Sequence, residues 1–166
     1  MEETSYLGGK KAVIDILRKV PFLNPHEEGH LMAILELSKL RKYQKGEVIT
    51  KEGDYDTWFY IILSGEVSVL KQGKVIARID SRDGTFGELS VIDGEPRSAT
   101  VCAATNITCL AVDASFRDRL SPEERLPFDA VYFRLLTEIL AHRLRQTTRE
   151  FSETGRELDA LKKNLI

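Results

Sequence analysis

The spacing of apolar residues divides the chain into three stretches with different periods. Residues 10–40 repeat at helical spacing. Ala12, Val13, Ile16 and Leu17 share one face of a short helix, which Pro21 ends. A second helix is predicted from Asn24 as N-cap and Pro25 at the first helical position, where its missing N–H costs no helical bond. The apolar stripe of this helix is Leu31, Ile34, Leu35 and Leu37.

From residue 43 to 113 the period shortens. Seven of the eleven glycines fall here and punctuate short runs rich in β-branched and aromatic residues. Strands are predicted over 48–50, 57–63, 67–70, 75–79, 100–104 and 107–112. Ser64-Gly65 and Gln72-Gly73 read as hairpin turns. Many short strands with frequent turns, and no helix-length pattern between them, point to an antiparallel barrel or jelly roll and against a parallel βαβ sheet.

From about Pro127 to Ile166 the period is helical again, with a single glycine, Gly155. Phe128, Val131, Tyr132, Leu135, Leu136, Ile139 and Leu140 form a wide apolar face. Beyond it the stripe narrows to Leu144, Thr147, Phe151, Thr154, Leu158, Leu161 and Leu165, at alternating three- and four-residue steps. That is a heptad seam, which a lone helix has nothing to bury against and a parallel two-fold pair does. Thr154 and Gly155 weaken its middle. The expected fold is α+β: an antiparallel jelly-roll β-barrel flanked by N-terminal helices and a long C-terminal dimerisation helix. The expected division is residues 1–126 for helices and β-roll and 127–166 for the helix.

Composition narrows the functions open to this fold. With 166 residues, 42% hydrophobic and 30% charged, the chain is not a disordered one. A net charge of −2 and a pI near 6.0 argue against a strongly basic nucleic-acid binder. No apolar run is long enough to span a membrane, and the acidic start Met1-Glu2-Glu3 does not read as a signal peptide. Cys102 and Cys109 make no disulfide framework and read as reduced core residues of a cytoplasmic protein.

The chemistry concentrates in residues 86–101, Phe-Gly-Glu-Leu-Ser-Val-Ile-Asp-Gly-Glu-Pro-Arg-Ser-Ala-Thr-Val. Gly87 lets a ligand approach the backbone. Glu88 accepts hydrogen bonds from sugar hydroxyls. Arg97, nine residues on, carries a planar fork suited to phosphate oxygens, and Ser98 adds a hydroxyl. Together they describe a pocket for a phosphorylated ribose, although a surface turn closed by a Glu–Arg ion pair has the same spacing.

This segment resembles the phosphate-binding cassette of cyclic nucleotide-binding domains, the family that includes the catabolite activator protein and the regulatory subunits of protein kinase A. Upstream, Tyr43, Gly46-Glu47-Val48-Ile49, Glu52-Gly53-Asp54, Phe59-Tyr60-Ile61-Ile62 and Ser64-Gly65-Glu66-Val67 are similar to the family's first strands. The resemblance covers roughly residues 20 to 150. It implies that Glu88 binds the ribose 2′-hydroxyl, that Arg97 neutralises the cyclic phosphate, and that Gly87, Leu89 and Ser98 complete the cassette. It also implies that Thr147 and Thr148 meet the base while Arg143 reaches toward Glu88. The ligand is then cAMP ahead of cGMP, with no cofactor or metal. The bacterial transcription factors of the family continue into a helix-turn-helix domain. Here the chain stops at Ile166, and from residue 142 six basic residues face four acidic ones, so no DNA arm replaces it. A stand-alone sensory domain and a fragment both fit.

Two other patterns were weighed. His26-Glu27-Glu28-Gly29-His30 satisfies the H-E-x-x-H spacing of zinc hydrolases. It falls at an exposed helix start weakened by Gly29, and the remaining histidine, His142, is far along the chain. Trp58, Phe59 and Tyr60 read as strand and core residues rather than a stacking platform for single-stranded nucleic acid. No nucleophile–base pair stands out, so no enzymatic activity is expected. The expected function is a cyclic nucleotide sensor coupled to a homodimer. The alternative is the same fold without ligand, serving dimerisation or protein contacts; a zinc hydrolase through His26 and His30 is a remote third reading.

Overall fold

Apolar residues buried on both faces of a strand explain the run Trp58–Leu63, and they set the architecture. In the computed structural model, which describes residues 1–8, 13–20, 23, 27–81 and 84–164, the chain begins with β1 (Glu2–Tyr6), α1 (Ile14–Leu17) and α2 (Glu28–Glu36). Strands β2 (Ser38–Tyr43), β3 (Val48–Thr50), β4 (Trp58–Ser64), β5 (Glu66–Lys71), β6 (Lys74–Asp80) and β7 (Thr85–Phe86) follow. Helix α3 (Glu88–Asp93), β8 (Thr100–Ala103), β9 (Ile107–Asp113), a 3-10 turn (Ala114–Arg119) and α4 (Pro122–Asn164) complete it.

The strands form two antiparallel sheets rather than one closed barrel, in the manner of a jelly-roll sandwich. One has the order β1-β2-β9-β4-β7 and the other β3-β8-β5-β6. Period-two alternation splits the residues of β4 and β9 between two cores. Tyr60, Ile62, Cys109 and Ala111 face Val67, Val101 and Ala103 between the sheets. Phe59, Ile61, Leu110 and Val112 face the helices, where Leu31, Leu35, Tyr132, Leu135 and Ile139 cover them. Burial pushes the Cys109 thiol up to about 12, and both cysteines are free.

Several expectations shift. Residues 38–40 are strand, not helix, and β1 and β7 had no apolar alternation to announce them. Ala12, Pro21, Asn24, Pro25, His26 and Leu165 lie outside the described residues. The long helix starts at Pro122, ahead of the expected Pro127, which lies inside it. At its start Ser121 N–H and hydroxyl both donate to Glu124 Oε2, at 3.0 and 2.7 Å, which supplies the carboxylate half of a capping box. The last fully buried residue of α4 is Ile139, and residues 147–163 are all exposed. Leu126, Phe133, Leu144, Phe151, Leu158 and Leu161 are exposed apolar side chains. Since 126, 133 and 140 continue the register of 147, 154 and 161, the stripe runs farther toward the helix start than Leu144.

The first strand is tied down by a buried carboxylate. Asp113, 4% exposed, accepts from Tyr6 Oη at 2.6 Å, from Ser115 N and Oγ at 3.0 and 2.6 Å, and from Arg119 Nη2 at 2.6 Å. Burial alone pushes this carboxyl up, but the hydrogen bonds from Ser115 and Tyr6 and the Arg119 charge outweigh it and hold it below its ordinary range. The stabilisation is therefore complete above the ordinary carboxylate range and is lost as pH falls through the depressed native value. Asp113→Asn is expected to cost about 2 kcal/mol at neutral pH, the scale of a charged hydrogen-bond set. Urea melts between neutral and acidic pH should show the gap to wild type closing as pH falls.

Candidate functional site

Gly87 caps α3 at its N-terminal end with φ +85°, a conformation that favours glycine. A Cβ there would stand 2.5 Å from Arg97 Nη1, so the position is closed to other residues by backbone and space alike. The turn delivers Glu88 into the interior at 0% exposure, and Arg97 follows from the other end of the loop at 3%. Both border a cavity of about 80 Å³ together with Gly87, Leu89, Ser98 and Arg143, and with Thr50, Val69, Ile79, Phe86, Ser90, Ala99 and Val101.

The guanidinium of Arg97 is held from several sides. Its Nε donates to Asp56 Oδ2 at 2.9 Å, and Nη1 donates to the Gly87 carbonyl at 2.7 Å. Its Nη2 donates to Asp56 Oδ1 and to the Trp58 carbonyl. Among the described residues four of its five N–H groups are thus engaged, leaving one on Nη1. The backbone is pinned as well: Gly53 N donates to Arg97 O at 2.9 Å, and Arg97 N donates to Asp54 O at 2.8 Å.

Glu88 is in the opposite condition. Neither carboxylate oxygen has a hydrogen-bond partner among the described residues. Arg143 Nη1 lies 3.0 Å from Oε1, an ion pair without hydrogen-bond alignment. The other terminal nitrogen, Nη2, donates to the Thr85 carbonyl, with the Thr85 hydroxyl 3.4 Å away. A buried carboxylate with unmet acceptors is costly unless something donates to it.

Of the residues singled out in the sequence, Gly87, Glu88, Leu89, Arg97, Ser98 and Arg143 therefore share one cavity. Thr147 lines an adjoining cleft between β6 and α4, which meets the first cavity at Ile79 and Arg143. Thr148 lines neither; its hydroxyl turns back to the Leu144 carbonyl at 2.8 Å on an exposed face of α4. Asp56 and Thr85 were missed, because each meets its arginine from a distant part of the chain and carries no local motif. His30 sits at the start of α2, and the described residues contain no group of His, Cys, Asp and Glu able to hold a metal ion. No described helix is long and apolar enough to cross a membrane.

The fold is thus a two-sheet sandwich with a short helix at the edge of a small cavity and a long helix passing its mouth. Residues 40–121 match the family described as the cyclic nucleotide-binding domain. Among relatives, the chain is 33% identical over 116 residues to a cGMP-dependent protein kinase of Toxoplasma gondii, covering 69% of this chain and 11% of that one. It is 36% identical over 115 residues to a cAMP-dependent protein kinase regulatory subunit of Colletotrichum orbiculare, covering 66% and 29%. The chain thus spans less than a third of the length of either protein. Among solved structures, PKAR CBD2 bound to Sp-2Cl-cAMPS matches with a TM-score of 0.61 at 27% identity, over 91% of this chain and 93% of that one. A cyclic nucleotide-binding domain from Methylobacillus flagellatus shares the fold with a TM-score of 0.63 at 23% identity, over 92% and 86%. This chain carries a domain of the cyclic nucleotide-binding family.

Proposed function

We propose that this chain binds a cyclic nucleotide, cAMP ahead of cGMP, and works as a regulatory module rather than an enzyme. The observation that carries the reading is the pairing of Glu88 and Arg97, both buried, on one small cavity. A ribose hydroxyl donating to Glu88 satisfies acceptors that the protein leaves open. A cyclic phosphate accepts the remaining Nη1 hydrogen of Arg97 and the hydroxyl of Ser98. Leu89 and Gly87 supply the wall and the close approach. Arg143 places its guanidinium 3.0 Å from Glu88 Oε1, at the edge of the same cavity. The likeness to a kinase regulatory subunit and to a structure bound to a cAMP analogue supports the same ligand class.

The second half of the proposal concerns α4. A parallel pair of these helices buries the stripe from Leu126 to Leu161. With Leu144 and Phe151 at one seam position and Thr147 at the other, Arg143 and Thr148 fall on the two flanks of the seam. In a parallel coiled coil these flanking positions meet across the interface, so Thr148 of the partner subunit approaches Arg143 and the cavity it borders. On that arrangement Thr148 serves the neighbouring pocket, while the described chain supplies Arg143 and Thr147 to its own.

Calorimetric titration with cAMP and cGMP, alongside thermal melts, tests the reading. At a hundredfold excess over Kd, cAMP is expected to raise Tm by about 5–10 °C. Neither heat nor a melting shift with either nucleotide would instead favour a dimerisation domain that uses the fold without a ligand.

A further inference from the structure

The cleft that adjoins the cassette cavity holds a polar side chain withdrawn from water. It measures about 160 Å³ and lies between Ala77, Arg78 and Ile79 of β6 and Arg143, Gln146, Thr147 and Glu150 of α4; the Arg78 guanidinium is paired away to Glu66, to which its Nη1 donates at 2.6 Å. Across residues 144–150, Gln146 is the half-buried residue and the others are exposed. It lies off the heptad seam, so a second copy of the helix leaves it facing its own β6. Its Nε2 donates to Glu150 Oε1 at 3.1 Å, one helical turn on. This bond orients the amide, leaving its carbonyl free to accept and its second N–H free to donate.

We propose that Gln146, oriented by Glu150, reads the base of the bound nucleotide and selects adenine over guanine. The inference rests on the nucleotide-binding reading above. With phosphate and ribose in the cassette cavity, the base leaves it past Ile79 and Arg143, which border the cleft as well. On its N6/N7 edge adenine presents a donor beside an acceptor, and an amide matches both at once. Guanine presents two acceptors on that edge, O6 and N7, so the amide carbonyl faces an oxygen or a nitrogen lone pair and one bond is lost. Glu150 is a positioning residue, acting on the base through the Gln146 amide that it holds. Thr147, which shares the cleft, can donate or accept and so does not by itself separate the two bases.

The test is calorimetry with cAMP, cGMP and 7-deaza-cAMP, in which carbon replaces the N7 acceptor. Wild-type protein is expected to bind cAMP about tenfold more tightly than either of the others, the scale of one bidentate contact in a half-open site. Gln146→Leu should bring all three within about twofold of one another, because cAMP loses two bonds to the amide and each of the others one. Glu150→Ala should narrow the gap, and Glu150→Gln, whose carbonyl accepts the same N–H, should restore it. Retained cGMP binding in each variant reports an intact pocket. A gap between cAMP and 7-deaza-cAMP that survives Gln146→Leu, or a wild-type preference for cGMP, overturns the inference and leaves nucleotide binding standing. Wild-type protein that binds none of the three overturns both.

Discussion

Replacing Arg97 by alanine is expected to cost about 2–4 kcal/mol of cAMP binding, a loss of roughly thirtyfold to a thousandfold in Kd. The side chain is 3% exposed and lines the cavity, so on the proposed reading its removal takes away a desolvated phosphate contact rather than a rim charge. It also strips donors from the Gly87 and Trp58 carbonyls and takes the cation from Asp56, which keeps the Trp58 N–H. Asp56 keeps a third of its side chain in water, which limits the stability cost to about 1–2 kcal/mol, below that of breaking a fully buried pair. Arg97→Lys separates the two effects. It keeps the charge but not the fork, so most of the affinity should go while the melt moves less. Calorimetry and urea melts on the same variants decide the matter. Wild-type affinity in Arg97→Ala would remove Arg97 from the phosphate site.

The second large effect is expected in assembly. Phe151 is 81% exposed in the single chain and occupies the centre of the exposed stripe. If two helices pair there, Phe151→Asp removes two aromatic burials and sets two carboxylates face to face. Lost burial alone amounts to about 3–6 kcal/mol per dimer, which converts to two to four decades in the dimer dissociation constant. Sedimentation of wild type and variant, each with and without cAMP, reads this directly. Because Arg143 and Thr147 tie the pocket to the same helix, ligand should tighten the wild-type dimer by the factor by which dimerisation tightens ligand. A wild-type monomer at micromolar concentration would remove the paired helix. A dimer of measurable strength that ignores cAMP would remove the coupling and keep the pair.

Legibility in the sequence followed locality. The strands of the middle stretch were readable because glycine turns bracket runs buried on one or both faces, as in β4, β5 and β9. Strand β1 was not, since Glu2–Tyr6 is largely exposed and carries no apolar alternation. Pro127 looked like a boundary because proline usually opens a helix. The true opening is Pro122 behind Ser121, and Pro127 is tolerated one turn later at the cost of a hydrogen bond. Within the site, the cassette residues are contiguous and could be read together. Asp56 could not, because its meeting with Arg97 spans 41 residues and depends on β4 and α3 being packed side by side. The family resemblance implies that Thr147 and Thr148 both meet the base, and adjacent residues on a helix point about a hundred degrees apart. The fold sends one toward β6 and the other outward.

The ion pairs around the cavity have a consequence for how a ligand arrives. Arg97 is matched by Asp56, Arg143 by Glu88, and Lys71, which donates to the Ser98 carbonyl, by Glu52. Each of these three described cations thus has an anion of its own, and their fields cancel beyond a few ångströms. A cyclic phosphate approaching through solvent meets almost no long-range attraction and gains its contacts only on entry. Capture then proceeds at an ordinary diffusional pace with little dependence on ionic strength, and differences in affinity are expressed in how long the nucleotide stays.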